Sequence, residues 1–224
     1  MLFSDDIKTK PFQLSACTVD RLIGFCNVYS LAKKSCIVRI GDPADTLYYI
    51  IEGSASVIVE DEDDMGHEII LAYLQAGDFI GEMGLFYAAN NRAAYVRTRT
   101  KTKLAKISYR RLNLLFKNEL KEVEADILRA MGVQLSQRLI STNRKVSQLA
   151  FMDVSGRIAR ALLDMCSADE AVTHPDGTQL HLSRQELARI VGCSREMAGR
   201  VLKNMAEQKM IGVNGMKIVV FHKR

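Results

Sequence analysis

Ser183-Arg184-Gln185-Glu186-Leu187-Ala188-Arg189-Ile190-Val191-Gly192-Cys193-Ser194-Arg195-Glu196-Met197-Ala198-Gly199-Arg200-Val201-Leu202 is the stretch that decides the fold. Ser183 and Glu186 make a capping box, in which the hydroxyl accepts from the third amide and the carboxylate reaches back. A helix is therefore predicted to begin after Ser183, with Leu187, Ile190 and Val191 as its apolar stripe. Gly192 suits a left-handed helix end, and Ser194 caps a second helix whose Met197, Val201 and Leu202 are expected to face inward. Two helices joined by so short a turn form a helix-turn-helix. The second helix then presents Arg195, Glu196, Gly199 and Arg200 outward.

Those outward residues suit a major groove, because an arginine forks onto guanine O6 and N7 while a glutamate accepts from cytosine N4. Glu196 and Arg200, at i and i+4, would equally make an ordinary salt-bridged surface. Two features outside the helices favour DNA. Ile211 to Val220 holds two β-type runs around Asn214-Gly215, a strong hairpin signal, so a wing follows the two helices. The charge is also unevenly placed: the formal net charge is +5, but residues 183–224 hold nine Lys/Arg against three Asp/Glu and carry +6, leaving −1 for the rest. A basic excess confined to one end is the footprint of a polyanionic partner.

Upstream, 224 residues suffice for two modest domains. A composition of 48% hydrophobic and 25% charged residues is that of a soluble globular chain. No apolar run reaches membrane-spanning length, and Met1-Leu2-Phe3-Ser4-Asp5-Asp6 lacks an export signal, so no membrane partner and a cytoplasmic location are expected. The five cysteines are odd in number, form no CxxC pair and read as free thiols. Thiol-redox control through Cys17, Cys26 or Cys36 stays open as a rival. No metal-ligand cluster or base-paired nucleophile is visible, so neither a metal nor an enzymatic activity is expected.

Between Cys36 and Ser108, short β-type runs (36–40, 47–52, 54–60, 68–74, 94–99 and 104–108) alternate with turn signals such as Gly41-Asp42-Pro43, Gly53 and Gly77-Asp78. Such spacing predicts a small antiparallel roll. The acidic run Glu60-Asp61-Glu62-Asp63-Asp64 reads as a solvated hairpin tip. After Ser108 the pattern turns helical. Leu128, Met131, Leu135, Leu139, Thr142, Val146 and Leu149 recur at steps of three and four, as in a two-helix seam, although packing on its own domain would produce the same spacing. Gln134, Gln137 and Arg138 interleave with the seam and leave one flank for a ligand. Residues 149–153 are expected to break the helix before another begins near Gly156, and Thr173 to Thr178 reads as a loop.

The turn Gly77 to Phe86, followed by Asn91-Arg92-Ala93, combines glycines, one acid and one arginine. Backbone amides at such glycines can approach an anion, Arg92 offers a forked donor to a phosphate, and Glu82 can accept from a ribose hydroxyl. A purely structural turn has the same composition.

Gly81-Glu82-Met83-Gly84-Leu85-Phe86 with Arg92, Phe151-Met152-Asp153-Val154-Ser155-Gly156-Arg157, Thr173-His174-Pro175-Asp176-Gly177 and Val191-Gly192-Cys193-Ser194-Arg195-Glu196 together closely resemble the cyclic-AMP receptor protein (catabolite activator protein) family of bacterial transcription regulators. The likeness is greatest to its pseudomonad virulence-factor-regulator branch, and it spans the chain apart from its N-terminal end. The resemblance implies an α+β fold: a cyclic-nucleotide-binding β-roll over residues 1–118, a dimerisation helix and hinge over 119–152, and a winged helix-turn-helix over 153–224.

It further implies cyclic AMP as an allosteric ligand, held by Ile80, Gly81, Glu82, Met83, Gly84, Arg92 and Ala93. Glu82 would take the ribose, Arg92 the cyclic phosphate, and Arg138 would brace the ribose contact. Thr142 and Asn143 would meet adenine, one of them from the partner subunit. Ala93 and Asn143 stand where the family usually carries hydroxyl residues, which leaves cyclic GMP and cyclic di-GMP as alternative ligands. Ser183, Arg184, Ser194, Arg195, Glu196, Gly199 and Arg200 would engage double-stranded DNA at a palindromic TGTGA-type site. Phe151 and Asp153 would form the hinge, and Thr173, His174 and Gly177 would touch RNA polymerase. A homodimer is implied throughout.

Overall fold

The computed structural model describes residues 12–60, 68–87, 90–167 and 171–221. The chain divides into two compact units: Met1–Val57 with Ala72–Ser141, and Ile58–Leu71 with Thr142–Arg224. The acidic hairpin tip, apart from Glu60, lies outside the described residues.

The first unit opens with helix α1 (Ala16–Ile23), capped by the Ser15 hydroxyl, and strand β1 (Asn27–Leu31). Sequence reasoning assigned neither. β2 (Cys36–Val38), β3 (Thr46–Glu52), β4 (Ser54–Glu60), β5 (Glu68–Gln75), β6 (Phe79–Ile80), β7 (Tyr95–Thr98) and β8 (Thr102–Ser108) follow, with the short helix α2 (Met83–Phe86) between β6 and β7. They form two four-stranded sheets, ordered β1-β8-β3-β6 and β2-β7-β4-β5. β3 shows why the roll holds together. Side chains alternate along a strand, and Leu47 and Tyr49 enter one core while Tyr48 and Ile50 enter another. β3 is thus buried on both faces, and it reads as a nearly continuous apolar run.

The helical region after Ser108 is two helices. α3 (Tyr109–Lys117) is capped by the Ser108 hydroxyl and buries Leu112, Leu115 and Phe116, and α4 (Glu124–Phe151) follows. The expected seam along α4 is split in its surroundings. Met131 is buried in the core of the first unit with Leu128 packed against that core, so the N-terminal half of the stripe serves its own domain. Farther along, Leu139 and Val146 are 61% and 58% exposed, with Ile140 and Leu149 exposed beside them.

The second unit contains α5 (Val154–Cys166), β9 (Val172–His174), β10 (Gly177–His181), α6 (Arg184–Val191), α7 (Arg195–Glu207), β11 (Ile211–Asn214) and β12 (Lys217–Phe221). The four strands pair in the order β11-β12-β10-β9. The stretch expected to be a loop at Thr173 to Thr178 is instead the tip of a β9–β10 hairpin, closed at His174 opposite Gly177. Ser183 and Ser194 cap α6 and α7 as the sequence suggests, and Gly192 ends α6 at φ +67°. Leu187, Ala188 and Val191 of α6 share one core with Ala198, Val201, Leu202 and Met205 of α7 and Ile158 and Leu162 of α5. One expected core residue is displaced: Met197 is 37% exposed. The inward stripe runs through 198, 201, 202 and 205, and Met197 sits one residue, or about 100°, off it.

Candidate nucleotide pocket and nucleic-acid interface

β6 leads into Gly81, whose φ of +88° and lack of a side chain are both required: a Cβ there would lie 2.8 Å from the Thr46 carbonyl oxygen. Glu82 follows with its side chain 3% exposed, and its Oε1 accepts from Arg138 Nη1 at 2.5 Å. Arg138 Nη2 also donates to the Phe79 carbonyl at 2.7 Å. One turn earlier on α4, the Gln134 amide accepts from Phe79 N and donates to the Gly77 carbonyl, both at 2.9 Å. Two side chains one helical turn apart therefore fasten α4 to the segment 77–82. Sequence reasoning placed Gln134 on the ligand flank but gave it no partner.

Among the described residues, Glu82 Oε2 is buried and has no hydrogen-bond partner. A buried acceptor left unmet costs about 1–3 kcal/mol, so a donor placed at this oxygen would be stabilising. Arg92 donates Nη1 to Tyr109 Oη at 3.1 Å and Nη2 to the Thr46 carbonyl. Tyr109 Oη in turn donates to the Gly81 carbonyl at 2.5 Å. Burial, more than any other influence, raises the Tyr109 phenol above its usual range.

The other expected pocket residues divide. Met83 and Ala93 are exposed, and Gly84 lies beneath the Tyr109 ring. Ile80 is buried in the β core, so its side chain is not available to a ligand. Its expected contact with a ligand would then run through its backbone. Thr142 and Asn143 are exposed on α4, one turn beyond Arg138.

On the C-terminal unit, Ser183 accepts from Glu186 N at 3.1 Å and Ser194 from Met197 N at 3.1 Å, which fixes the start of both helices. Arg184, Arg195, Glu196 and Arg200 are exposed, and the Arg184 stem passes 3.7 Å from where a Gly199 Cβ would stand. Among the described residues Glu196 and Arg200 form no ion pair, unlike Lys203 and Glu207 of the same helix, whose N–O separation is 3.9 Å. The salt-bridged-surface reading of α7 therefore does not describe these two side chains.

At the expected hinge, Phe151 ends α4 and is 85% exposed, while Asp153 Oδ1 accepts from Gly156 N at 2.8 Å and caps α5. Sequence reasoning left Arg157 without a role. It donates to the carbonyls of Met152 (3.0 Å), Val191 (2.9 Å) and Gly192 (3.2 Å), a cation seated on the C-terminal end of α6. The base of the β4–β5 hairpin adds further ties within the second unit. Glu68 Oε2 is 2.9 Å from Arg189 Nη2, and Lys145 donates to the Ile70 carbonyl, with desolvation lowering the Lys145 amine below its usual range.

On the β9–β10 hairpin Thr173 is exposed, and His174 Nδ1 accepts from Asp176 N at 3.2 Å. Gly177 is buried: a Cβ there would lie 2.0 Å from the Val220 carbonyl. Its expected place as a partner contact is corrected to that of a residue that lets β10 approach β12. All five cysteines are free, and burial pushes the Cys26 thiol up to about 11, which makes it a poor redox sensor. Among the described residues no group of His, Cys, Asp and Glu could hold a metal ion, and no helix is long and apolar enough to cross a membrane.

A glycine turn with a buried, arginine-braced carboxylate on one unit and a winged helix-turn-helix on the other define the class as a DNA-binding regulator with a candidate ligand site. Residues 28–119 match the cyclic nucleotide-binding domain family and residues 156–223 the Crp-like helix-turn-helix domain. The chain is 48% identical over 216 residues to the CRP-like protein Clp of Xanthomonas euvesicatoria pv. vesicatoria, covering 96% of this chain and 93% of that protein. A solved structure described as the c-di-GMP responsive global regulator CLP of Xanthomonas campestris superposes with a TM-score of 0.89 at 48% identity, covering 93% of this chain and all of that one. A CRP/FNR-family transcriptional regulator from Thermus thermophilus matches with a TM-score of 0.70 at 25% identity, over 88% of this chain and 94% of that chain. The chain belongs to the cyclic-AMP receptor protein family: it is a DNA-binding transcription regulator, not an enzyme.

Proposed function

We propose that the chain is a homodimeric regulator that binds cyclic AMP between the Gly81–Gly84 turn, Arg92 and α4, reads a palindromic TGTGA-type DNA site through α7, and contacts RNA polymerase through Thr173 and His174. The observation that carries the ligand assignment is Glu82: buried, braced by Arg138, and holding one oxygen without a donor. A ribose hydroxyl supplies that donor, and the Arg92 guanidinium suits the cyclic phosphate. Ala93 removes one hydroxyl contact to the phosphate. A neutral hydrogen bond contributes only ~0.5–1.5 kcal/mol, so the pocket retains its charge-assisted contacts.

A second reading takes cyclic di-GMP as the ligand. It is favoured by the 48% identity to the Xanthomonas campestris regulator described as c-di-GMP responsive. Both nucleotides carry a phosphodiester and a free 2′-hydroxyl, so the same groups of the pocket suit either. Calorimetric titration of the full chain with cyclic AMP, cyclic GMP and cyclic di-GMP separates the readings, and Arg92→Leu is expected to abolish binding of the true ligand. Parental affinity in Arg92→Leu would remove the pocket from this place.

A further inference from the structure

The side chain beside Arg92 Nη1 is neither an acid nor a glycine. Tyr109, the first residue of α3, touches the turn at Gly81 and Gly84 and also reaches Arg92. Its Oη donates to the Gly81 carbonyl at 2.5 Å and accepts from Arg92 Nη1 at 3.1 Å. Its ring fills the notch left by a missing side chain, since a Cβ on Gly84 would meet Tyr109 Oη at 2.5 Å and Cε2 at 2.7 Å. The Arg92 Cζ lies 6.0 Å from the centre of the same ring. With Nη2 committed to the Thr46 carbonyl, the guanidinium is held at both terminal nitrogens by neutral acceptors of the protein.

We propose that Tyr109 is an intramolecular competitor for the nucleotide phosphate, a positioning residue that sets ligand affinity by holding Arg92 and by covering the Gly84 edge of the turn. The proposal rests on the reading that Arg92 takes the phosphate. A phosphodiester that takes the Nη1–Nη2 edge of Arg92 competes with the Tyr109 hydroxyl at Nη1 and meets the phenol that covers Gly84. Binding on that edge costs the protein the Tyr109–Arg92 hydrogen bond for each ligand bound. Such a competitor also selects: a ligand with one phosphodiester recovers fewer contacts for the same displacement than one with two.

Tyr109→Phe keeps the ring and removes the hydroxyl, so it separates competition from packing. Titration of the full-length chain and of Tyr109→Phe with cyclic AMP and cyclic di-GMP should give an affinity for the bound nucleotide about three- to tenfold higher in the variant, the worth of one neutral hydrogen bond. Its melting temperature should stay the same or fall. A structural role or a direct ligand contact predicts the opposite sign, weaker binding. Unchanged or weaker binding in Tyr109→Phe, with Arg92→Leu abolishing binding, overturns the competitor and leaves the pocket standing. Parental affinity in Arg92→Leu overturns the pocket and the competitor with it. Binding of neither nucleotide by parent or Tyr109→Phe overturns both.

Discussion

Arg195 and Arg200 show how far single residues could be read in advance. Their spacing, the Ser194 cap and the basic tail placed both on the outer face of α7, where they are exposed and not ion-paired to Glu196. Arg195→Ala or Arg200→Ala should cost ~1–3 kcal/mol of discrimination between the TGTGA-type site and random DNA, while Lys217→Ala weakens both DNAs alike. A mobility-shift series on the two DNAs checks this, and full specificity in either arginine variant would place the reading face elsewhere. Tyr109 was not legible in the same way. Its role depends on an opening beside Gly84 and on a carbonyl at Gly81, and neither leaves a signature in spacing. Glu82 and Arg138 lie 56 positions apart, and only the family resemblance joined them before the structure did.

At the scale of elements, caps and turns were the most legible features. Ser183 and Ser194 read as caps in advance, because a side-chain oxygen next to an amide is a local event; Asp153 and Ser108 also cap helices, but as caps they emerge only in the structure. The β9–β10 hairpin and α1 with β1 were missed. Pro175-Asp176 reads equally well as loop or hairpin, and the strand pairing of β10 with β12 is a long-range contact that local pattern does not report. The hairpin β4–β5 was seen as a hairpin, but its attachment was not: Glu68 to Arg189, with Lys145 on the Ile70 carbonyl, joins residues distant in sequence. Glu68→Ala should lower stability by about 1–2 kcal/mol, because Arg189 is then left partly buried without its carboxylate. Differential scanning calorimetry reads this as a lower melting temperature, and an unchanged transition would show that the pair is energetically idle.

At the scale of the whole molecule, the stripe along α4 bears on the proposed homodimer. Its first part is consumed by the core around Met131, and its second part, Leu139 to Leu149, lies exposed as an apolar row on one helix. A monomer would leave that row in water, whereas a second α4 would cover it and set two α7 helices against half-sites one DNA turn, ~34 Å, apart. Val146→Glu places a charge in the row and should convert a dimer to a monomer in sedimentation, with a loss of palindrome binding. A dimer that survives the charge would need another interface. The sequence stripe alone did not separate the two uses of this helix, since packing within a domain and across a dimer share one periodicity.

The grouping of residues 58–71 with the C-terminal elements bears on how reading heads can be exchanged among relatives. A chimera cut at Met152 would carry Arg189 and Gly192 away from the Glu68, Ile69 and Leu149 they meet here. The transferable piece is therefore discontinuous. A graft that brings its own hairpin strand along, or restores an acid at 68 opposite a base at 189, keeps the seat on which the DNA-reading helices rest, and one that ignores it inherits the head without its footing.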